Sequence, residues 1–231
     1  VQAFVPVPGG HASRLQPAER TVIARLVADT AELLGTRLSE SGSGAPAAAG
    51  TQLPDLLYAQ GSRLTGDDAV LAALDFDPAA DAAPDVPADP ALARLLPPMS
   101  RDDATLAAEL RALTEDSVRS GKVTRLESVW RELSVPTGPK GAVVVRRGQE
   151  GTWLSALTDV RLVLATRLGI EGEDDAEDVY ERARQPERVR TSDAQADRDE
   201  EVTDALATMY AALTWWQESL LESMQRRRRA H

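Results

Sequence analysis

Chemistry at neutral pH needs a nucleophile, a base or a metal ligand, and this chain is sparing with all three. It has two histidines, His11 beside the Gly9-Gly10 pair and His231 at the far end. It has no cysteine, which excludes thiolate nucleophiles, thiol switches and disulfides within the chain. No G-x-S-x-G, P-loop or dinucleotide fingerprint occurs, and the spacing assembles no Ser-His-Asp set. Adjacent carboxylates occur at Asp67-Asp68, Asp102-Asp103 and Asp174-Asp175. They stand at expected helix starts or in loops, where capping and solvation account for them. The run from Glu171 to Asp175 lacks the spacing of a calcium loop, and a His-poor, Cys-free chain is a poor zinc binder. These residues give no catalytic, cofactor or metal site, and the expectation is of a protein that is not an enzyme.

What remains is charge. The chain of 231 residues carries a net −11, which on average repels nucleic acid and anionic membranes. Between Arg119 and Arg147 the balance reverses: seven basic residues face two acidic ones, a net +5, leaving −16 for the rest. Arg119, Lys122, Arg125, Arg146 and Arg147 are the candidate contacts for nucleic acid or an acidic partner. The commoner role of such residues on a helical protein is to form surface salt bridges with acidic neighbours. The tail Arg226 to Arg229 is a second basic cluster, expected as a disordered end over 225–231.

The elements that must position these groups read as helices. Pro17 suits a first helical turn and Glu19 its dipole, and an apolar face runs through Val22, Ile23, Leu26, Val27, Leu33, Leu34 and Leu38. Ser100 and Asp103 resemble a capping box opening a helix with Leu106, Leu110 and Leu113 on one face. That helix is expected to stop near Gly121, with a second over Val123 to Leu133 and then a strand, Ala142 to Val145, ending in Arg146-Arg147. Helix, glycine turn, helix and strand resemble a winged helix-turn-helix.

Trp153, Leu154, Leu157, Val160, Leu164 and Leu168 recur at helical spacing, with Gly169 where a C-terminal glycine belongs. Val202, Leu206, Met209, Leu213, Trp216 and Leu220 alternate steps of four and three. Leu206, Leu213, Trp216 and Leu220 therefore form a seam for core packing or for a homodimer. Trp215 and Trp216 point about 100° apart on a helix, so one should face outward. Phe4 to Val7 reads as an edge strand because of its prolines, closed by Pro8-Gly9-Gly10, and the strand at Ala142 to Val145 is its candidate pairing partner.

The expectation is an all-α or mainly α fold with a minor two-stranded β element. It is one domain over 1–231, with two short helices within Leu53 to Leu74 and flexible loops near 41–50, 77–90 and 171–200, where Glu171 to Asp178 reads as a solvated acidic loop or a frayed helix. No run approaches the roughly 20 apolar residues that span a bilayer, and Val1 to Gly10 does not resemble a signal peptide, so no membrane contact and a cytoplasmic location are expected.

Several ordered patterns carry a resemblance. They are Arg14-Leu15-x-Pro17-x-Glu19, Asp89-Pro90-Ala91-Leu92-x-Arg94-Leu95-Leu96-Pro97, Leu113-Thr114-Glu115-Asp116 with Lys122, Trp153-Leu154-x-Ala156-Leu157-x-Asp159-x-Arg161-Leu162, Arg167-Leu168-Gly169 and Leu213-Thr214-Trp215-x-Gln217-Glu218-Ser219-Leu220. Together they resemble an actinobacterial domain-of-unknown-function family, number twenty-seventeen in its series. The resemblance implies a regulator of the kind called AosR, acting in transcriptional control of the oxidative stress response through a sigma factor and a redox-active cysteine pair. The partner it implies is RNA polymerase or a sigma factor. The family's association with the ClpS adaptor implies instead a role in Clp-type proteolysis. This chain has no cysteine, so any function carried over operates without the thiol switch.

Overall fold

In the computed structural model, residues 1–38, 87–98, 100, 103–184 and 194–229 are described. Six helices are seen among them: α1 (Pro17–Leu33), α2 (Pro90–Leu95), α3 (Ala104–Ser134), α4 (Glu150–Arg167), α5 (Glu173–Arg184) and α6 (Ala194–Arg229). Three short strands, β1 (Val5–Val7), β2 (Gly10–Ser13) and β3 (Val143–Arg146), form an antiparallel sheet in the order β1-β2-β3. The fold is mainly α, as expected, with a third strand. The Gly9-Gly10 turn, expected to end the first strand, makes a hairpin that pairs Val5 with Ala12. β3 therefore pairs with β2, His11 facing Val145 across the ladder, rather than with β1. The expected loop over 41–50 and the expected helices within Leu53 to Leu74 lie outside the described residues, as does most of the loop expected over 77–90.

The chain divides into two compact units. One contains Val1–Leu38, Val86–Pro97 and Glu115–His231. The described part of the other is residues 98, 100 and 103–114. There the Leu106 amide donates to Asp103 Oδ1 at 3.0 Å and the Asp103 amide to Ser100 Oγ at 3.3 Å. Asp103 thus caps α3, one turn after the start placed at Ser100.

In the first unit the core centres on three rings. Phe4 stacks on Trp216 at 4.9 Å between centroids, and Trp153 meets both edge-on at 6.3 and 6.0 Å. Edge-to-face packing of this kind adds to area burial through the ring quadrupoles. α4 supplies Trp153, Ala156, Leu157, Val160 and Leu164, all buried, so the spacing read from the sequence is its inner face. Gly169 has φ +72°. Its amide donates to Thr166 O and that of Ile170 to Ala165 O, a Schellman ending for α4. On α1 the buried face is Ile23, Val27, Ala31 and Leu34, while Val22 is exposed.

Three expectations are corrected. α3 runs unbroken through Gly121 to Ser134, so this segment forms no helix-turn-helix. A mid-helix glycine costs only about 1 kcal/mol relative to alanine, and Leu126, Val129 and Leu133, all fully buried, hold the second half of α3 in the core. The stretch 171–200, expected as loop, is helical over Glu173–Arg184. Its acidic run sits in the first turn, where Asp175 Oδ2 accepts from the Glu171 and Gly172 amides, and Val179 buries itself. Of the end expected as disordered over 225–231, residues 225–229 continue α6 as helix, and the last two lie outside the described residues.

Candidate functional site

The five candidate basic residues do not form one surface. Arg119 pairs with Glu115 at 2.6 Å and donates to the Leu34 carbonyl. Lys122 meets Asp159 of α4 at 2.5 Å, with side-chain exposures of 16% and 6%. This is an internal tie between α3 and α4 and is not open to a partner. Arg125 is half-buried, and its Nε is among the buried polar atoms with no partner. Glu132, one of the two acids in the segment, accepts from the Val144 and Thr137 amides and so fastens β3 to the end of α3. Acids outside the segment, Glu115 and Asp159, thus take up two of its five net positive charges. Arg146 and Arg147, at the end of β3, are exposed.

The seam on α6 packs within its own chain. Leu213, Trp216 and Leu220 are buried in the core, Leu206 is half-buried, and Trp215 is the outward tryptophan at 47% exposure. Extending the seam by its own steps of three and four leads from Leu220 to Ser223 and Arg227. Arg227 is part of the basic cluster at the end of the sequence, whereas Ser223 is the residue of the site that the seam's spacing reaches and its chemistry does not announce.

The sheet meets α6 through polar side chains. Trp216 Nε1 donates to Ser13 Oγ at 2.9 Å, the Phe4 amide donates to Ser219 Oγ at 3.1 Å, and His11 Nδ1 lies 2.8 Å from Ser223 Oγ. Strand alternation puts His11 and Ser13 on the same side of β2, and the helical period puts Trp216 and Ser223 on the same side of α6. Gly10 is required at the strand's start, because a Cβ there would stand 2.1 Å from the Val145 carbonyl oxygen.

Beyond this zipper lies a cleft of about 500 Å³ lined by His11, Arg147, Glu150, Met224, Arg227 and Arg228. Arg227 is held in place by donating to the Gly10 carbonyl at 3.1 Å. Glu150 opens α4 and accepts the Gly148 amide through Oε2, while its Oε1 lies 3.8 Å from His11 Nε2. Burial holds the His11 pKa below its ordinary value, Glu150 opposes that shift, and Arg227 adds to it. In the tautomer of neutral His11 that carries its proton on Nε2, facing the Glu150 carboxylate, Nδ1 accepts a hydrogen bond from the Ser223 hydroxyl. Hydroxyl, imidazole and carboxylate are all present, yet Ser223 has no exposed surface. The trio therefore fastens α6 to β2, and its serine cannot reach a substrate.

What the cleft presents to solvent is cationic. Arg147 and Arg228 are exposed, Arg227 is half-buried, and Glu150 is turned toward His11. With His11 neutral, three guanidinium groups against one carboxylate leave two net positive charges. A second groove, between α1, α4 and α6, has its charged rim already paired: Asp29 with Arg25, Glu32 with Arg37, Arg167 with Asp89. Among the described residues no cluster of acidic residues and histidines could hold a metal, and no helix is long and apolar enough to cross a membrane.

A family model described as Domain of unknown function (DUF2017) matches residues 1–224. The chain belongs to the DUF2017 family. No curated protein and no solved structure matches it. The DUF2017 match takes in the sheet, α4 and α6 as far as Met224, so His11, Arg147, Glu150 and Ser223 lie within it. Arg227 and Arg228 lie just past its end.

Proposed function

We propose that this DUF2017 protein is a regulator that works by binding another macromolecule through the arginine-lined end of the sheet and α6. The observation that carries the reading is the convergence of Arg147, Arg227 and Arg228 on one cleft in a chain of net −11. Cations gathered at one place in an acidic protein create a local field that attracts an acidic partner, while the remaining surface repels it. Complementarity of that kind sets orientation and partner choice. The partner is a component of the transcription machinery, RNA polymerase or a sigma factor, in a stress response of the AosR kind. That assignment rests on the family resemblance and on no contact in the cleft. Any redox input to such a response reaches this protein through its partner, since the chain carries no thiol.

The test is capture from native cells with the full chain as bait, read by mass spectrometry, in parallel with Arg147→Glu/Arg228→Glu. RNA polymerase or a sigma factor captured by the parent protein and lost from the variant supports the reading. Clp subunits behaving in the same way would move the protein to proteolysis. A set of captured proteins untouched by the double reversal would refute a role for this end of the molecule.

A further inference from the structure

Resting on that reading, we infer that the cleft is a seat for an acidic peptide, in which a side-chain carboxylate of the partner enters between Arg147, Arg227 and Arg228. Three observations lead there. First, the cations are available. Arg146, Arg147, Arg227, Arg228 and Arg229 form no ion pair among the described residues, whereas Arg119, Lys122 and Arg131 all do. Second, the site is preorganised. Arg227 is anchored to the Gly10 carbonyl through one Nη, which holds its guanidinium in the cleft lining with its other N–H groups unengaged by a carboxylate. A guanidinium in that state can take a carboxylate in two parallel hydrogen bonds without first being ordered. Third, the cleft has an acidic residue of its own, and its placement selects the ligand. Glu150 accepts the Gly148 amide and lies beside His11, at 18% side-chain exposure. It is the less exposed charge of the lining, and Arg147 and Arg228 are the exposed ones.

This arrangement suits a peptide better than a nucleic acid. Duplex DNA is held by a track of cations, roughly six to ten phosphate contacts for a strong binder. Here three arginines, Arg147, Arg227 and Arg228, line one cleft, and α6 on the way to it carries exposed Glu218 and Glu222, the latter paired with Arg226. A phosphate backbone running along that helix would meet carboxylates within two turns. An acidic peptide needs only one or two side chains in the cleft, and the half-buried Met224 in the lining offers an apolar contact for their methylenes. Recognition of acidic motifs by grouped arginines is a recurrent mode of peptide binding.

The experiment is fluorescence anisotropy on the full chain with three labelled probes: a short Asp/Glu peptide, the same peptide with Asn and Gln replacing the acids, and a DNA duplex. The variant is Arg147→Glu/Arg228→Glu, both exposed, with Arg25→Glu on α1 as a remote exposed control. Circular dichroism confirms that each variant is folded. The expected result is saturable binding of the acidic peptide. It should weaken at least roughly tenfold for the amide peptide and for the double variant, and remain unchanged for Arg25→Glu. Three results overturn the inference: no peptide binding, peptide binding indifferent to the double reversal, or duplex bound at least as tightly as the peptide. The last would still leave an arginine-lined macromolecular site. The broader reading fails only if native partners are also captured independently of Arg147 and Arg228.

Discussion

The Lys122–Asp159 pair offers the sharpest test of how α3 is held. Asp159 is 6% exposed, and only its Oδ1 is engaged, by the lysine at 2.5 Å; Oδ2 is buried without a partner. Replacing Lys122 by methionine keeps the aliphatic stem and removes the ammonium. The carboxylate is then left in the core with no cation, and stripping one partner from a buried pair costs roughly 3–5 kcal/mol. For a chain of this length each kcal/mol lowers Tm by about 2–4 °C, so the expected drop is roughly 6–20 °C. Lys122→Met/Asp159→Leu removes both charges and should recover most of the loss, because an apolar pair carries no desolvation penalty. Urea melts followed by tryptophan fluorescence, with the two single variants completing the cycle, measure the coupling directly. If Lys122→Met costs under about 1 kcal/mol, the pair behaves as a solvated surface bridge. Lys122 would then return to the list of residues open to a partner, and the assignment of α3 to the interior would be wrong.

Other outcomes follow from the same geometry. Leu157→Ala, at a fully buried position on α4, should cost roughly 2–5 kcal/mol in a denaturant melt. Leu213→Asp places a charge at a site 2% exposed in its own chain and should abolish cooperative unfolding, while light scattering of the parent protein shows a concentration-independent monomer mass. His11 is held neutral, with its folded pKa below the ordinary 6.5. Its contribution is therefore whole above pH 6.5 and is lost as pH falls from there through the lowered folded value, since the unfolded chain takes up the proton first. His11→Gln should flatten that part of the stability profile, and an unchanged slope would mean His11 is not the titrating group.

Much of the fold was legible because periodicity reports burial. The α4 face and the α6 seam were readable from apolar spacing, and Gly169 from the need for positive φ at a Schellman ending. The break at Gly121 was misread because glycine is only a weak helix breaker, and the leucine and valine that follow it pay for continuity with core contacts. The helix at Glu173–Arg184 was legible only as loop or frayed helix because its apolar stripe is short and its first turn is acidic. Such a run is a solvated loop or a well-favoured N-terminus depending on whether one valine, Val179, finds a core. β2 was missed because Gly-His-Ala-Ser has little strand propensity. It is a strand because β1 and β3 lie on both sides of it and α6 covers it.

The site was less legible than the fold, for a reason that concerns charge. Sequence shows how many cations a segment holds but not which of them are already engaged. Lys122 and Arg147 contribute equally to the +5 of the 119–147 segment, yet one is spent on Asp159 and the other stands at a cleft mouth. Position along the elements decides between them. Lys122 lies mid-helix, on a face turned toward α4, where a cation must find a carboxylate or be excluded. Arg147, Arg227 and Arg228 lie where a strand and a helix end, and there the geometry supplies carbonyls and solvent in place of a packed neighbour. The last turn of α6 reinforces this, because its unpaired carbonyls favour positive charge and stabilise the arginines without neutralising them. The first turn of α4 does the converse for Glu150. The two helix ends meet at His11 with opposite polarity, which keeps one carboxylate inside and several guanidinium groups outside. A partner's carboxylate therefore meets positive charge that the fold has positioned and has no internal use for.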